Sequence, residues 1–204
     1  MVAGNTNIRK NVTMKMKLKN QYYVLRHGEA ISNVKSINSS WPEKFHNPIT
    51  SDGEKQVKKS LKKLRGYHID FIFSSDLLRT KMTAGLASKL LKVEPKFDKR
   101  LREISFGSLN GESNGKTMEQ LFHSRLATKN HKMKKVETYQ SILKRISSLL
   151  KEIEKKYKDK TILIVSHQAP LWILENKVKG LTIEKALETP RNKRINKGEL
   201  KRIN

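Results

Sequence analysis

Three short apolar runs, QYYVLR (21–26), IDFIFSS (69–75) and TILIVS (161–166), stop abruptly at polar residues and are separated by segments of helical periodicity. Runs without apolar/polar alternation read as strands buried on both faces, as parallel strands covered by helices are. Strands alternating with helices restrict the chain to one class: α/β, a three-layer sandwich with a mostly parallel central sheet and helices on both faces.

The intervening segments supply the helices. Ser51 and Glu54 have capping-box spacing, Val57, Leu61 and Leu64 follow on one face, and Gly66 ends the pattern. DLLRTKMTAGLASKLL (76–91) starts a helix where the second run ends, and a short strand is expected near Val93–Phe97. Residues 117–157 are mostly helical in pattern, with Ile142, Ile146, Leu149, Ile153 and Tyr157 in one stripe. HQAPLWILENKVKG reads as a helix with Pro170 in its first turn, and GELKRI (198–203) as a last strand. At 204 residues this makes one domain, residues 21–204, with a helical cover over about 113–157. Residues 1–20 read as a basic tail or, from the alternation of Val12, Met14, Met16 and Leu18, an added edge strand.

Charge is the unusual part of the composition. Lys and Arg number 44 against 19 Asp and Glu, a net charge of +25. Such a surplus attracts anions and is compatible with nucleic acid as a partner, although charge runs of this kind are more often a solvated surface. The absence of cysteine excludes disulfides, thiolate metal sites and cysteine nucleophiles. No apolar run reaches the roughly 20 residues of a membrane span, and the N-terminus lacks the apolar segment of a secretory signal. A cytoplasmic protein without membrane contact is the expectation.

The polar residues fall at the strand ends. Arg26, His27 and Gly28 follow the first strand, Ser74, Ser75 and Arg79 the second, and Ser166, His167 and Gln168 the third. Ligands of open α/β sheets bind outside the carboxyl ends of the strands, where helix N-termini offer free N–H groups to anions. A lone histidine after a strand is more often structural, and a lone arginine at a helix start more often pairs with a surface carboxylate. Two of each delivered to one sheet edge point to an anion site.

RHGEAISN (26–33), PITSDGEKQ (48–56), SSDLLRTKMTA (74–84), LREISFGSLNGE (101–112) and VSHQAPL (165–171) occur in this order. In these five segments the chain resembles the histidine phosphatase superfamily, with its phosphoglycerate-mutase-like fold. The resemblance implies that His27 is the nucleophile that forms a phosphohistidine, with Gly28 letting the backbone come close and orienting the ring. It implies that Arg26 and Arg79 grip the phosphate oxygens, helped by Asn33, His167 and the N–H of Gln168. Glu103 takes the position of the proton donor, with its pKa raised beside a dianionic phosphate. Glu29 is read as an orienter of the charged cluster. No metal or other cofactor is implied. Ala30 stands where many members have Thr or Ser, and Gln168 where Gly is common, which bears on substrate detail.

Glu103 and His167 are 64 positions apart (167 − 103), and the family's mutases carry a longer insertion there. The chain is therefore read as a phosphatase for a small phosphorylated metabolite, with mutase chemistry as the alternative. A basic nucleic-acid-associated phosphatase-like module is the reading from a different class. Substrate choice is assigned to loop 34–47, with Trp41, Phe45 and His46, and to the helical cover. Within that cover, His123, His131, Lys129, Lys132, Lys134 and Lys135 are either cations near the substrate or, more simply, a solvated face.

Overall fold

The computed structural model describes residues 16–113 and 136–204. Five strands, β1 (Gln21–Arg26), β2 (Phe71–Ser74), β3 (Pro95–Phe97), β4 (Thr161–Ser166) and β5 (Leu200–Arg202), form one sheet in the order β3-β2-β4-β1-β5. The first four run parallel, and β5 lies antiparallel on the outside of β1. Helices are α1 (Ile31–Val34), α2 (Ser51–Leu61), α3 (Leu78–Leu91), α4 (Tyr139–Lys156), α5 (Gln168–Val178) and α6 (Ile183–Leu187). None of the helices among the described residues is long and apolar enough to cross a membrane.

Alternate residues of the same strands feed two separate cores, which is why the strand sequences are apolar throughout. Tyr22, Val24, Ile162 and Ile164 face α4, α5 and α6, whereas Tyr23, Leu25, Leu163 and Val165 face α2 and α3. The stripe on α4 is buried at Ile142, Ile146, Leu149 and Ile153, each contributing about 2 kcal/mol as an upper figure. α4 is thus one layer of the sandwich rather than a cover over the strand ends. The remainder of the expected cover, residues 114–135, lies outside the described residues, as do His123 and His131.

Element boundaries shift where polar contacts decide them. The cap of α2 is Thr50 rather than Ser51: its hydroxyl accepts from the Gly53 N–H at 3.0 Å, one position earlier than the capping box suggests. α3 starts at Leu78 rather than at Asp76, because Leu77 is extended and Glu43 from the preceding loop accepts from the Leu78 N–H at 3.1 Å. Met16–Asn20 form no strand; Met16 and Leu18 pack on the α4–α5 core, and Val12 and Met14 lie outside the described residues.

Candidate active site

Adjacent strands β2, β4 and β1 end level with one another, and the ladder continues past their ends. The Ser75 N–H donates to Val165 O at 3.0 Å, and the His27 N–H to Ser166 O at 3.0 Å. Register alone therefore sets His27 and His167 side by side, with ring centroids 5.1 Å apart at 60°. His27 is buried, and its Nδ1 lies 2.7 Å from the Gly28 carbonyl, which can only accept. Nδ1 thus carries the proton, and Nε2 holds a free lone pair. Burial first, then the charges of Arg79, Arg26 and Lys197, push the His27 pKa well below the ordinary histidine value, so the ring is neutral at pH 7.

His167 is fully buried and depressed for the same leading reason, burial, followed by Arg79, His27 and Arg26. Its Nε2 is 2.9 Å from the Ser75 hydroxyl, while its Nδ1 is buried without a hydrogen-bond partner. Arg26 donates from Nη1 to Ile195 O at 3.0 Å, and its Nε is likewise buried and unpartnered. Buried polar atoms of this kind, without a partner, call for a ligand.

Arg79 is fixed from the loop before α2. Its Nη1 donates to Glu43 Oε1 at 3.1 Å and its Nη2 to Ser39 O at 3.0 Å. The loop is itself pinned by buried Asn47, whose Nδ2 donates to Ser32 Oγ and Ser39 Oγ at 3.0 Å each. Burial lowers the Arg79 pKa, opposed by Glu103 and Glu43. Burial also leads the lowering at Arg26, where Glu103 again opposes it. Glu103 therefore faces both guanidinium groups. Arg100 and Arg102, its neighbours in sequence, pair instead with Asp98 and Asp76.

Arg26, His27, Asn33, Arg79, Glu103 and Gln168 line one cavity of about 330 Å³, the size of a small-metabolite site. Asn33 Oδ1 accepts from the Ala30 N–H at 3.0 Å, which leaves its NH₂ group as the end able to donate to a ligand. Gln168 opens α5, whose first-turn N–H groups have no partner within the helix. Glu29 pairs with Lys197 at 2.6 Å. Phe45 and His46 are not among the residues lining this cavity.

Gly28 has a second duty beyond orienting the ring. A Cβ there would sit 2.3 Å from Gly53 O, and one on Gly53 would sit 2.2 Å from Glu29 O. Two glycines thus let α2 lie directly against the RHG turn. From the other side the turn is wired to the end of the sheet. The Gly198 N–H donates to His27 O at 2.9 Å, and the Arg26 N–H to Glu199 O at 3.1 Å.

Sequence reasoning missed Glu43, Ser39, Phe106 and Arg191. Glu43 offered one signal, as the sole acidic residue in the 34–49 loop. Arg191 opens the basic run RNKRINKGELKR (191–202), yet it lines the cavity and its charge acts on Arg26. In the same run Arg194 stacks 3.9 Å over Trp172, and Lys201 pairs with Glu175. Several of these cations thus serve contacts inside the fold.

Residues 22–199 match the family model described as histidine phosphatase superfamily (branch 1). A relative from Salmonella arizonae, "Probable phosphoglycerate mutase GpmB", is 30% identical over 79% of this chain and 75% of its own length. "Phosphoserine phosphatase 1" of Hydrogenobacter thermophilus is 28% identical over 67% of each chain. Among solved structures, a mycobacterial glucosyl-3-phosphoglycerate phosphatase superposes with a TM-score of 0.75 at 20% identity, covering 88% of this chain and 90% of its own. The alpha-ribazole phosphatase of Shigella flexneri does so with a TM-score of 0.73 at 22% identity, covering 88% of each. At those identities the two structures speak to the fold alone, whereas the sequence match spans the strands and the polar turns that follow them. This chain belongs to the histidine phosphatase superfamily.

Proposed function

We propose that the chain is a phosphomonoesterase that hydrolyses a small phosphorylated metabolite through a phosphohistidine at His27, without a metal. The observation that carries this reading is the state of His27: neutral, held as the Nδ1–H form by Gly28, with Nε2 free among paired arginines. Nε2 attacks phosphorus as the ester P–O bond breaks, and Glu103 gives its proton to the departing oxygen. Water then attacks the phosphohistidine, its proton passes to the Glu103 carboxylate, and the P–N bond breaks to release inorganic phosphate. Arg26 and Arg79 hold the equatorial oxygens through both steps, which supplies the charge stabilisation that phosphoryl transfer chiefly needs. With His167 Nε2 accepting from the Ser75 hydroxyl, its unpartnered Nδ1–H, the Asn33 NH₂ and the first turn of α5 are the further donors.

The curated relatives carry both activities in their names, a mutase and a phosphatase. Hydrolysis is favoured by the 64 positions between Glu103 and His167, a segment that the family resemblance makes short for the cover of a mutase. The test is phosphate release from p-nitrophenyl phosphate in EDTA, wild type beside His27→Ala. Chelator-resistant turnover that disappears in the variant supports the reading, and turnover retained by His27→Ala refutes it. Incubation with 3-phosphoglycerate separates the alternatives: free phosphate marks a phosphatase, and 2-phosphoglycerate a mutase.

A further inference from the structure

Two cavities meet at Glu103. One holds His27 and the arginines; the other, of about 250 Å³, is lined besides Glu103 by Trp41, Lys99, Arg102, Ser105, Glu137 and Arg145. A proton donor has to touch the ester oxygen. Whatever the substrate carries beyond that oxygen therefore starts beside Glu103, where the second cavity is open to it.

Trp41 is the distinctive wall of that cavity. It is 52% exposed, whereas the other tryptophan, Trp172, is 3% exposed. An indole left half in water forgoes much of the gain from burial, so its exposed area is available to a ligand. The ring is held in place all the same. The Arg102 guanidinium lies 4.0 Å from its centroid, and Asp76 pins that guanidinium through Nε at 2.7 Å and Nη2 at 2.5 Å. An aromatic plate fixed before binding loses little freedom when a second ring stacks on it.

From the Glu103 junction and the exposed, pinned indole we infer that the leaving group carries an aromatic ring that stacks on Trp41. The inference rests on the reading of Glu103 as proton donor and adds the substrate class to it. Aromatic stacking on a protein side chain is worth a factor of about 5 to 100 in affinity.

The experiment compares phosphate release from benzyl phosphate and propyl phosphate, with adenosine 5′-monophosphate as a third arm that separates a base carried on ribose from a ring attached near the ester. Esters of primary alcohols are used throughout, so leaving-group chemistry is matched. The expected result is that Trp41→Ala lowers the ratio of kcat/KM for a ring-bearing ester over propyl phosphate by about 5- to 100-fold, and that Trp41→Phe restores part of it. In His27→Ala, benzyl phosphate should quench the emission of exposed Trp41 and leave that of buried Trp172. A ratio unchanged by Trp41→Ala, or a uniform fall for all three esters, overturns the ring subsite. Wild type that releases no phosphate from any ester yet shows the quench overturns the phosphatase reading and leaves the ring subsite standing.

Discussion

Replacing Gly53 with alanine should reverse the usual sign of a glycine-to-alanine change in a helix. In an exposed helix interior the substitution stabilises by about 0.8–1 kcal/mol, because alanine has the better helix propensity. Gly53 lies in α2, but its Cβ would stand 2.2 Å from Glu29 O and 2.7 Å from Glu29 N, both backbone atoms that no rotamer change can clear. Restoring ordinary contact requires the helix and the RHG turn to part by about 1 Å. Such overpacking costs about 1–3 kcal/mol, so the net change is a destabilisation of up to about 2 kcal/mol. The function should suffer more than the fold. The peptide displaced is next to Gly28, whose carbonyl sets the His27 tautomer, and a misplacement of this size at a reacting group costs about 100-fold in rate. Gly85 in α3 is the matched control, since a Cβ there meets nothing within 4 Å. Urea midpoints and p-nitrophenyl phosphate turnover would be read for both variants beside wild type. The expected pattern is a higher midpoint with ordinary turnover for Gly85→Ala, and a lower midpoint with turnover reduced about 10- to 100-fold for Gly53→Ala. A Gly53→Ala protein as stable and as active as Gly85→Ala would refute the argument.

Three further outcomes are expected. His27 and His167 have folded pKa values well below 6.5, so below pH 6.5 the unfolded chain binds more protons and stability is lost as the pH is lowered. The loss is about 1 kcal/mol for each histidine between pH 6.5 and 5.5, to be read from urea melts at pH 7.5, 6.5 and 5.5; a flat profile between 6.5 and 5.5 would contradict it. Glu43→Gln keeps the shape but removes the charge that opposes Arg79, and should lower kcat/KM about 10-fold while Asp52→Asn, at an exposed pair on α2, changes nothing measurable. Arg191→Ala should weaken competitive inhibition by inorganic phosphate about two- to five-fold, the modest effect of an exposed cation at the cavity, and an unchanged inhibition constant would remove Arg191 from the site.

The sheet was legible because strands buried on both faces leave an unbroken apolar signature, seen at 21–26 and 161–166. The strand ends followed, since a polar residue directly after such a strand has one place to go. What stayed hidden depended on contacts across long stretches of chain. Nothing local distinguishes Gly53 from any helix glycine, and its meaning appears only against Glu29. Glu43 becomes a support for Arg79 only when the loop folds back over α3, 36 positions later. Thr50 and Ser51 are both good caps, and the backbone turn alone chooses between them. Arg191 carried the appearance of its basic surroundings.

The wiring of the RHG turn to residues 195–199 has a consequence for the order in which the protein becomes active. Arg26 and His27 are synthesised well before Ile195, Gly198 and Glu199, yet their hydrogen bonds reach those residues. Domains fold as the chain emerges, N-terminal part first. A nascent chain that has passed β4 and entered α5 already possesses His27, Arg79, Glu103 and His167, but His27 lacks the braces that hold it. The site should therefore close late and abruptly during synthesis, once residues 195–202 clear the ribosome and β5 closes on β1, so that a chain halted before them holds the polar residues of the site without its geometry.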